Sequence, residues 1–405
     1  MNQIFSYRSN KLFFNEFDLS QFLSTHNYQK PVYLYDLNII LKRYLQLRNS
    51  LKTVRLFYAM KANSNQRILE LLKLNSCSVD VVSKGEIEIA LLAGFEPFDI
   101  VFSGVGKTKN EIQFAIEKKI YQINVESVPE LKRVADIAFQ LKIKTAVALR
   151  INPNISIKTH PSIATGLKEN KFGIEASRLT EVIQIIEKSQ YIELVGVSLH
   201  LGSQMLEYDG FREALRLLRA IYLLLKEKFK SCSRFDVGGG LGIFYEEDNL
   251  AQENILLLQY SQIIDEELQG LEAELQSEPG RWIVGHAGIL ISQVQYIKET
   301  DVKKFMIIDA GMTHLLRPAL YNAYHQIFPV HQNSDLQEEY DIVGPICEST
   351  DVIARNRKIH SVNEDDFVII ATAGAYGFSM SSTYNQQSLP DEVFIELNVN
   401  KRMLK

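Results

Sequence analysis

Apolar and polar positions alternate in two textures along this chain. From Pro31 to about Val302, short β-branched and aromatic runs are followed by longer stretches with helical spacing. The expected strands are Val32–Tyr35, Val54–Ala59, Val79–Ser83, Ile100–Ser103, Ile123–Val125, Ala146–Ile151, Leu194–His200 and Phe235–Val237. The helical stretches carry readable ends. Thr108 with Glu111, and Ser127 with Glu130, have the spacing of a capping box, and Pro129 fits a first turn. Gly94 is placed to close a helix over Glu86–Leu92, and Phe211 to Phe229 sets a Leu/Ile stripe against Arg and Lys. About eight such alternations match a (β/α)8 TIM-type barrel in size and order. An open, doubly wound sheet shares this periodicity and stands as the alternative. Beyond Val302 the runs Phe305–Ile308, Tyr340–Val343, Phe367–Ile370 and Glu392–Ile395 are short and broken by Gly, Pro, Asn and Asp, the texture of a mainly β domain. The expected class is α/β: a (β/α)8 barrel over residues 31–302, a C-terminal mainly β domain over 303–405, and residues 1–30 packing on the β domain.

Composition adds mostly exclusions. Among 405 residues, 44 Lys and Arg stand against 49 Asp and Glu, a net charge of −5. This mild acidity suits neither a nucleic-acid nor an anionic-membrane partner. The first twenty or so residues have no apolar signal core, and no run approaches the ~18 apolar residues of a membrane span. Cys77, Cys232 and Cys347 have neither metal spacing nor a disulfide framework. No metal is expected, and a reducing, cytoplasmic setting fits.

Chemistry enters at Lys61. The run Val54–Ala59 ends in Met60-Lys61-Ala62-Asn63, which puts an amine at the carboxyl end of a strand, where barrels carry their active sites. Burial there would lower the lysine pKa and free the amine to condense with an aldehyde. Asp236-Val237-Gly238-Gly239-Gly240-Leu241-Gly242 follows a late strand. Its glycines can bring backbone N–H groups onto a phosphate, although a plain tight turn looks the same. Glu278-Pro279-Gly280-Arg281 offers a carboxylate and a guanidinium, the first able to hold a proton on a pyridine nitrogen, the second to fork an anion. A surface turn with an ion pair is the alternative. His200, in Val197–Gln204, can stack on a planar ring or move a proton. In Val343–Ser349, Cys347 adjoins Glu348, a pairing that suits a proton donor better than a nucleophile. Arg317 and Tyr321, in Leu316–Tyr321, could bind a carboxylate. Tyr376 lies among glycines in Ala373–Met380.

Ten stretches in one order carry a family resemblance: YAMKAN around Lys61, VFSGVGKT at 101–108, NVES at 124–127, THPSIATGLKENKFGI at 159–174, HLGSQ at 200–204, GGGLG at 238–242, EPGR at 278–281, DAGM with RPALY at 309–321, GPICEST at 344–350 and GAYGFSMSSTYN at 374–385. With these, the chain resembles the fold-type III pyridoxal-phosphate decarboxylases, a barrel plus β-domain group similar to alanine racemase, over nearly its whole length. The resemblance implies pyridoxal 5'-phosphate as cofactor. It implies that Lys61 carries the cofactor aldehyde and that His200 stacks on its ring. Gly238, Gly239, Gly240, Gly280 and Arg281 would form the phosphate cup, Ser203 would also bind the cofactor, and Glu278 would face the ring nitrogen. Arg281, Arg317 and Tyr321 would hold a distal carboxylate, Glu348 a distal amine, and Tyr376 both cofactor and substrate. Cys347 would be the proton donor. Family members are head-to-tail homodimers, so Cys347 and Glu348 would complete the partner's site.

The implied reaction is decarboxylation of meso-2,6-diaminopimelate to L-lysine and CO2, the last step of lysine biosynthesis. A relative acting on another basic or dicarboxylic amino acid is the alternative. A non-catalytic, partner-binding relative would have lost the lysine or the glycines, and both are present. Two positions depart from the family pattern: Ser198 stands where a second histidine is common, and Thr313-His314 where an Asn-Asp pair is usual.

Overall fold

The computed structural model describes residues 4–155, 166, 170–332 and 334–397. They form two compact units, one of Tyr44–Gly242 with Ile255–Gly280, the other of the stretches up to Arg43, Ile243–Asn254 and from Arg281 onward. The chain thus passes between units more often than the expected division at 31–302 and 303–405.

The first unit is built on eight parallel strands: β1 Val54–Ala59, β2 Ser78–Val81, β3 Ile100–Phe102, β4 Gln122–Val125, β5 Thr145–Asn152, β6 Ile192–Ser198, β7 Arg234–Asp236 and β8 Glu274–Ser277. Each pairs with the next. β8 returns to β1 through Leu275–Val54, Gln276–Arg55 and Ser277–Leu56. The ring is closed, which removes the open-sheet alternative: an open sheet keeps two edges. Strands covered on both faces can read as nearly continuous apolar runs, as β1 and β3 do; Phe57, Tyr58, Val79, Val101 and Phe102 are fully buried.

A helix follows each of the first six strands: α1 Gln66–Leu74, α2 Lys84–Leu92, α3 Lys109–Lys118, α4 Val128–Leu141, α5 Leu179–Lys188 and α6 Asp209–Lys228. The Thr108 box before α3 is reciprocal: Thr108 N–H donates to Glu111 at 2.9 Å and Glu111 N–H to the Thr108 hydroxyl at 3.3 Å. Gly94 closes α2 with φ +87°, a left-handed conformation that glycine adopts without strain. The Ser127 box is only half formed. Ser127 Oγ accepts from Glu130 N–H at 3.3 Å, but the Glu130 carboxylate turns to buried Lys107 at 2.8 Å and to Glu126 N–H at 3.0 Å. A buried ammonium holds it more strongly than its own cap.

The second unit is a mixed sheet around the long strand Gly288–Glu299, which pairs antiparallel with Val32–Asp36, Phe367–Ile370 and Lys304–Ile308. Val32–Tyr35 therefore lies outside the barrel repeat in which it was expected. It pairs with Gly288–Ile291 and, in parallel, with Asp391–Ile395. All five residues of the strand are buried, so its pattern mimics a barrel strand. Tyr33 and Tyr35 pack into a core with Leu290, Val294, Met306 and Ile370. The hairpin Phe5–Arg8 and Lys11–Phe14 belongs to the same unit: Leu12 N–H donates to Val330 O at 2.9 Å, and Phe5 lies 5.1 Å from Phe328.

One buried ion pair braces this unit. Arg43 meets Glu253 at 2.6 Å, donates to Trp282 O at 3.0 Å and lies 3.6 Å over the Trp282 ring. Glu253 also contacts His286 at 2.7 Å. Burial alone would raise the Glu253 carboxyl; Arg43 and His286 more than offset it and hold it at about 2.

Candidate active site

Polar side chains gather at the carboxyl ends of the barrel strands. Asp80 lies in β2, Asn124 in β4 and Arg150 in β5; Ser198 and Asp236 end β6 and β7; Ser103 and Glu278 follow β3 and β8. A barrel's active face is expected there. Lys61 sits in the single 3-10 turn Met60–Ala62 directly after β1. Tyr58 pins that turn, donating its hydroxyl to Asn63 O at 2.8 Å. Lys61 Nζ is 3.1 Å from Asp80 Oδ2. It is not sealed in an apolar pocket as expected: its side chain is 31% exposed, while that of Asp80 is 0% exposed. Asp80 Oδ1 has no hydrogen-bond partner among the described residues.

The glycine turn follows β7. A Cβ on Gly238 would run into Leu199 O, and one on Gly239 into Glu278 O. Gly238 also needs its φ of +73°. Only glycine fits this approach, which brings backbone N–H groups within reach of an anion. Gly238 N–H itself donates to Asp236 Oδ1 at 2.7 Å. Gly280 packs its Cα against Ala59 and Ala62, and Ala59 N–H donates to Pro279 O at 3.0 Å. The Lys61 turn and the Glu278 turn are thereby locked together.

Glu278 is buried among these polar side chains. Asn124 donates to it at 3.3 Å, and Asn124 is itself held by Ser103 and Gln122. Burial pushes the Glu278 carboxyl well above the carboxylate range, and the charges of Asp236 and Asp80 push it further. Burial likewise lifts Asp236 to about 6. Both carboxyls are thus held above the ordinary carboxylate range, first by burial. His200 is held well below its ordinary pKa, first by burial, then by the positive charges of Arg150 and Lys61. Its Nδ1 accepts from Gly202 N–H at 3.1 Å. It is therefore a neutral ring, suited to stacking. Ser203 follows on the same loop, half-buried.

The remaining expected residues lie in the second unit, which splits the EPGR motif before Arg281. Arg281 hydrogen-bonds the Tyr245 hydroxyl and lies 4.8 Å over the ring of Tyr376, whose φ is +57°. Arg317 opens the short helix Arg317–Tyr321, with Tyr321 half-buried at its end. Arg317 stacks 4.6 Å from the centre of the Tyr245 ring. Cys347 and Glu348 are exposed. Cys347 N–H donates to Asn385 at 3.2 Å, and Glu348 accepts from the Tyr384 hydroxyl at 2.7 Å.

His314, one of the two departures, is structural: its Nδ1 accepts from Gly311 N–H at 3.1 Å and its Nε2 donates to Ser388 O at 3.1 Å. Ser198 is buried at the end of β6. Of the stretch 159–174, residues 159–165 and 167–169 lie outside the described residues. Asp80, Asn124, Arg150, Asp236, Tyr245 and His325 were not singled out from the sequence. For the first four, a polar residue at or next to the end of a barrel strand was the available signal.

An amine beside a buried carboxylate, a turn that only glycine can make, a neutral flat imidazole and a proton-holding acid fit pyridoxal phosphate end to end. They would hold its aldehyde, phosphate, face and ring nitrogen respectively. Fold and site together define a pyridoxal phosphate-dependent decarboxylase. Residues 37–285 match the family model described as "Pyridoxal-dependent decarboxylase, pyridoxal binding domain". The diaminopimelate decarboxylase of Aquifex aeolicus is 38% identical over 98% of this chain and 93% of its own length. That of Helicobacter pylori strain J99 is 43% identical over 91% of each. A crystal structure of the Helicobacter pylori enzyme complexed with L-lysine superposes with a TM-score of 0.88 at 42% identity, covering 93% of this chain and 94% of that one. The chain belongs to the diaminopimelate decarboxylase family.

Proposed function

We propose that the chain converts meso-2,6-diaminopimelate to L-lysine and CO2, the last step of lysine biosynthesis. The observation that carries the choice of substrate is Arg317, a buried guanidinium with no carboxylate in salt-bridge range among the described residues. Ornithine, lysine and arginine bring no second carboxylate to such a group; diaminopimelate does. Relatives solved with L-lysine support the same reading.

Pyridoxal phosphate, when bound, supplies the electron sink that loss of CO2 requires. The chain does the rest. Lys61 holds the aldehyde end. Gly238, Gly239, Gly240 and Gly280, with Arg281, hold the phosphate, and Ser203 also contacts the cofactor. Glu278 keeps a proton at the ring nitrogen, and His200 fixes the ring plane. Arg281, Arg317 and Tyr321 orient the substrate through its distal carboxylate, Glu348 through its distal amine, and Tyr376 borders both ligands. Cys347 delivers a proton from Sγ to the carbon that has lost CO2. The buried Cys77 and Cys232 and the exposed Cys347 are free thiols, which fits a reducing cytoplasm. Among the described residues, no helix is long and apolar enough to cross a membrane.

The direct test is CO2 release from meso-diaminopimelate, ornithine, lysine and arginine with pyridoxal phosphate present. The expected preference for diaminopimelate is at least about a hundredfold in kcat/KM, since a buried guanidinium is left unpaired by the others. A faster reaction on ornithine or lysine overturns the reading.

Cys347 and Glu348 are exposed on a unit that also exposes Leu320, Tyr324 and Tyr384. We read these as the surface a second copy covers, with Cys347 and Glu348 serving the partner's site. Mixing inactive Lys61→Ala and Cys347→Ala proteins should then restore activity. Random reassociation puts one competent site in half of the dimers, so about a quarter of the wild-type rate is expected. No recovery after subunit exchange, verified by mass-tagged subunits, refutes the shared site.

A further inference from the structure

Two buried arginines of this protein meet a carboxylate, and Arg317 differs from them. Arg43 is paired with Glu253 at 2.6 Å, and Arg150 with Glu126 at 2.7 Å. Both are neutralised where they stand, as burial of a charge demands. Arg317, only 6% exposed, instead gives its Nη1 hydrogen to His325 Nε2 at 2.7 Å. His325 is 1% exposed, and its Nδ1 lies 2.9 Å from Ala371 O. The two partners fix the tautomer: arginine can only donate and a carbonyl can only accept, so Nε2 carries the lone pair and Nδ1 the hydrogen. Burial, reinforced by Arg317, also holds His325 far below its ordinary pKa, consistent with a neutral ring. The Tyr245 ring lies 4.6 Å from the guanidinium and edge-on to His325 at 5.2 Å. It too contacts the cation without cancelling it.

We propose that His325 is a positioning residue for substrate selection: it fixes the plane of the Arg317 guanidinium with a neutral acceptor and so keeps its full charge for the substrate's distal carboxylate. A carboxylate in its place would satisfy the arginine and silence it. An apolar residue would leave the guanidinium loose. The proposal rests on the reading of Arg317 given above.

The test uses the cofactor-loaded enzyme with His325→Leu, His325→Gln, His325→Glu and, separately, Arg317→Met. KM and kcat are measured for meso-diaminopimelate, and inhibition constants for L-lysine and cadaverine. The reaction removes one carboxylate, so L-lysine keeps the distal one; cadaverine has none. His325→Leu should raise KM for diaminopimelate and Ki for L-lysine in parallel, about tenfold, with kcat within about threefold and cadaverine unaffected. His325→Gln retains an acceptor and should recover most of the affinity, whereas His325→Glu should lose at least about a hundredfold in kcat/KM. If His325→Leu does not fold, the Gln and Glu variants carry the comparison. Unchanged KM and Ki in His325→Leu with a lowered melting temperature, equal losses in Gln and Glu, or an equal rise for cadaverine overturns the proposal. If Arg317→Met itself leaves KM and Ki unchanged, the reading of Arg317 fails first; if it raises both while the His325 variants do not, only the role of His325 fails.

Discussion

Alanine at Lys61 should lower kcat/KM for diaminopimelate at least about a thousandfold, the scale expected when a covalent catalytic group is removed. The fold should survive it. Lys61 occupies a one-turn element whose shape is set by Tyr58, Asn63 and the packing of Gly280 on Ala59 and Ala62, not by its own side chain. The loss should be chemical and visible. Wild-type protein should be coloured as purified and, after borohydride treatment, retain the cofactor on the peptide containing Lys61. The variant should retain none. Equal colour, and fixation at another lysine, would sink the assignment. Its ion-pair partner gives a graded control: Asp80→Asn leaves the amine in place and should cost far less than removal of the lysine.

Glutamine at Glu278 should lower kcat by about a hundredfold to a thousandfold, because an amide fills the same space but cannot ionise to hold a charged partner. The same substitution should stabilise the cofactor-free protein at alkaline pH. Glu278 and Asp236 both have folded-state pKa values raised above those of the unfolded chain, Asp236 to about 6. Between the unfolded and folded values the native state binds more protons, so stability falls as pH rises through that window. The contribution is fully present below the ordinary carboxylate range and lost as pH passes the raised values. Wild-type cofactor-free protein should therefore melt lower at pH 8 than at pH 5, and Glu278→Gln should narrow that gap. A melting temperature that climbs with pH in this window, or a gap the substitution leaves untouched, contradicts the raised carboxyls. Full kcat in Glu278→Gln contradicts its place at the ring nitrogen.

The two predictions draw on positions of unequal legibility. Lys61 was readable because an apolar strand ended at it and barrel strands carry chemistry at that end. The glycine turn was readable as a possible cradle, but its necessity is a matter of carbonyls from Leu199 and Glu278, some forty residues away in either direction, occupying the space of each Cβ. Asp80 and Asp236 were passed over since one aspartate at a strand end reads as the start of a turn; the closed ring is what draws them toward Glu278 and Lys61. Val32–Asp36 was misplaced because burial on both faces writes the same apolar run in either sheet. His325 was missed for a different reason. It stands eight residues after Arg317, beyond a left-handed Asn322 that ends the short helix, and no helical spacing joins the two.

The turn at Gly238–Gly240 has a consequence for how such an enzyme diversifies. Its space is taken by main-chain atoms, which no substitution elsewhere trims away, so drift at these positions meets an immediate dead end. The residues read as choosing the substrate, Arg317, Tyr321, Cys347 and Glu348, belong to another unit and face no such bar. A lineage with this architecture can therefore retain one coenzyme indefinitely while exploring new amino acids, and a designer wishing to redirect it should leave the barrel alone and randomise the β domain.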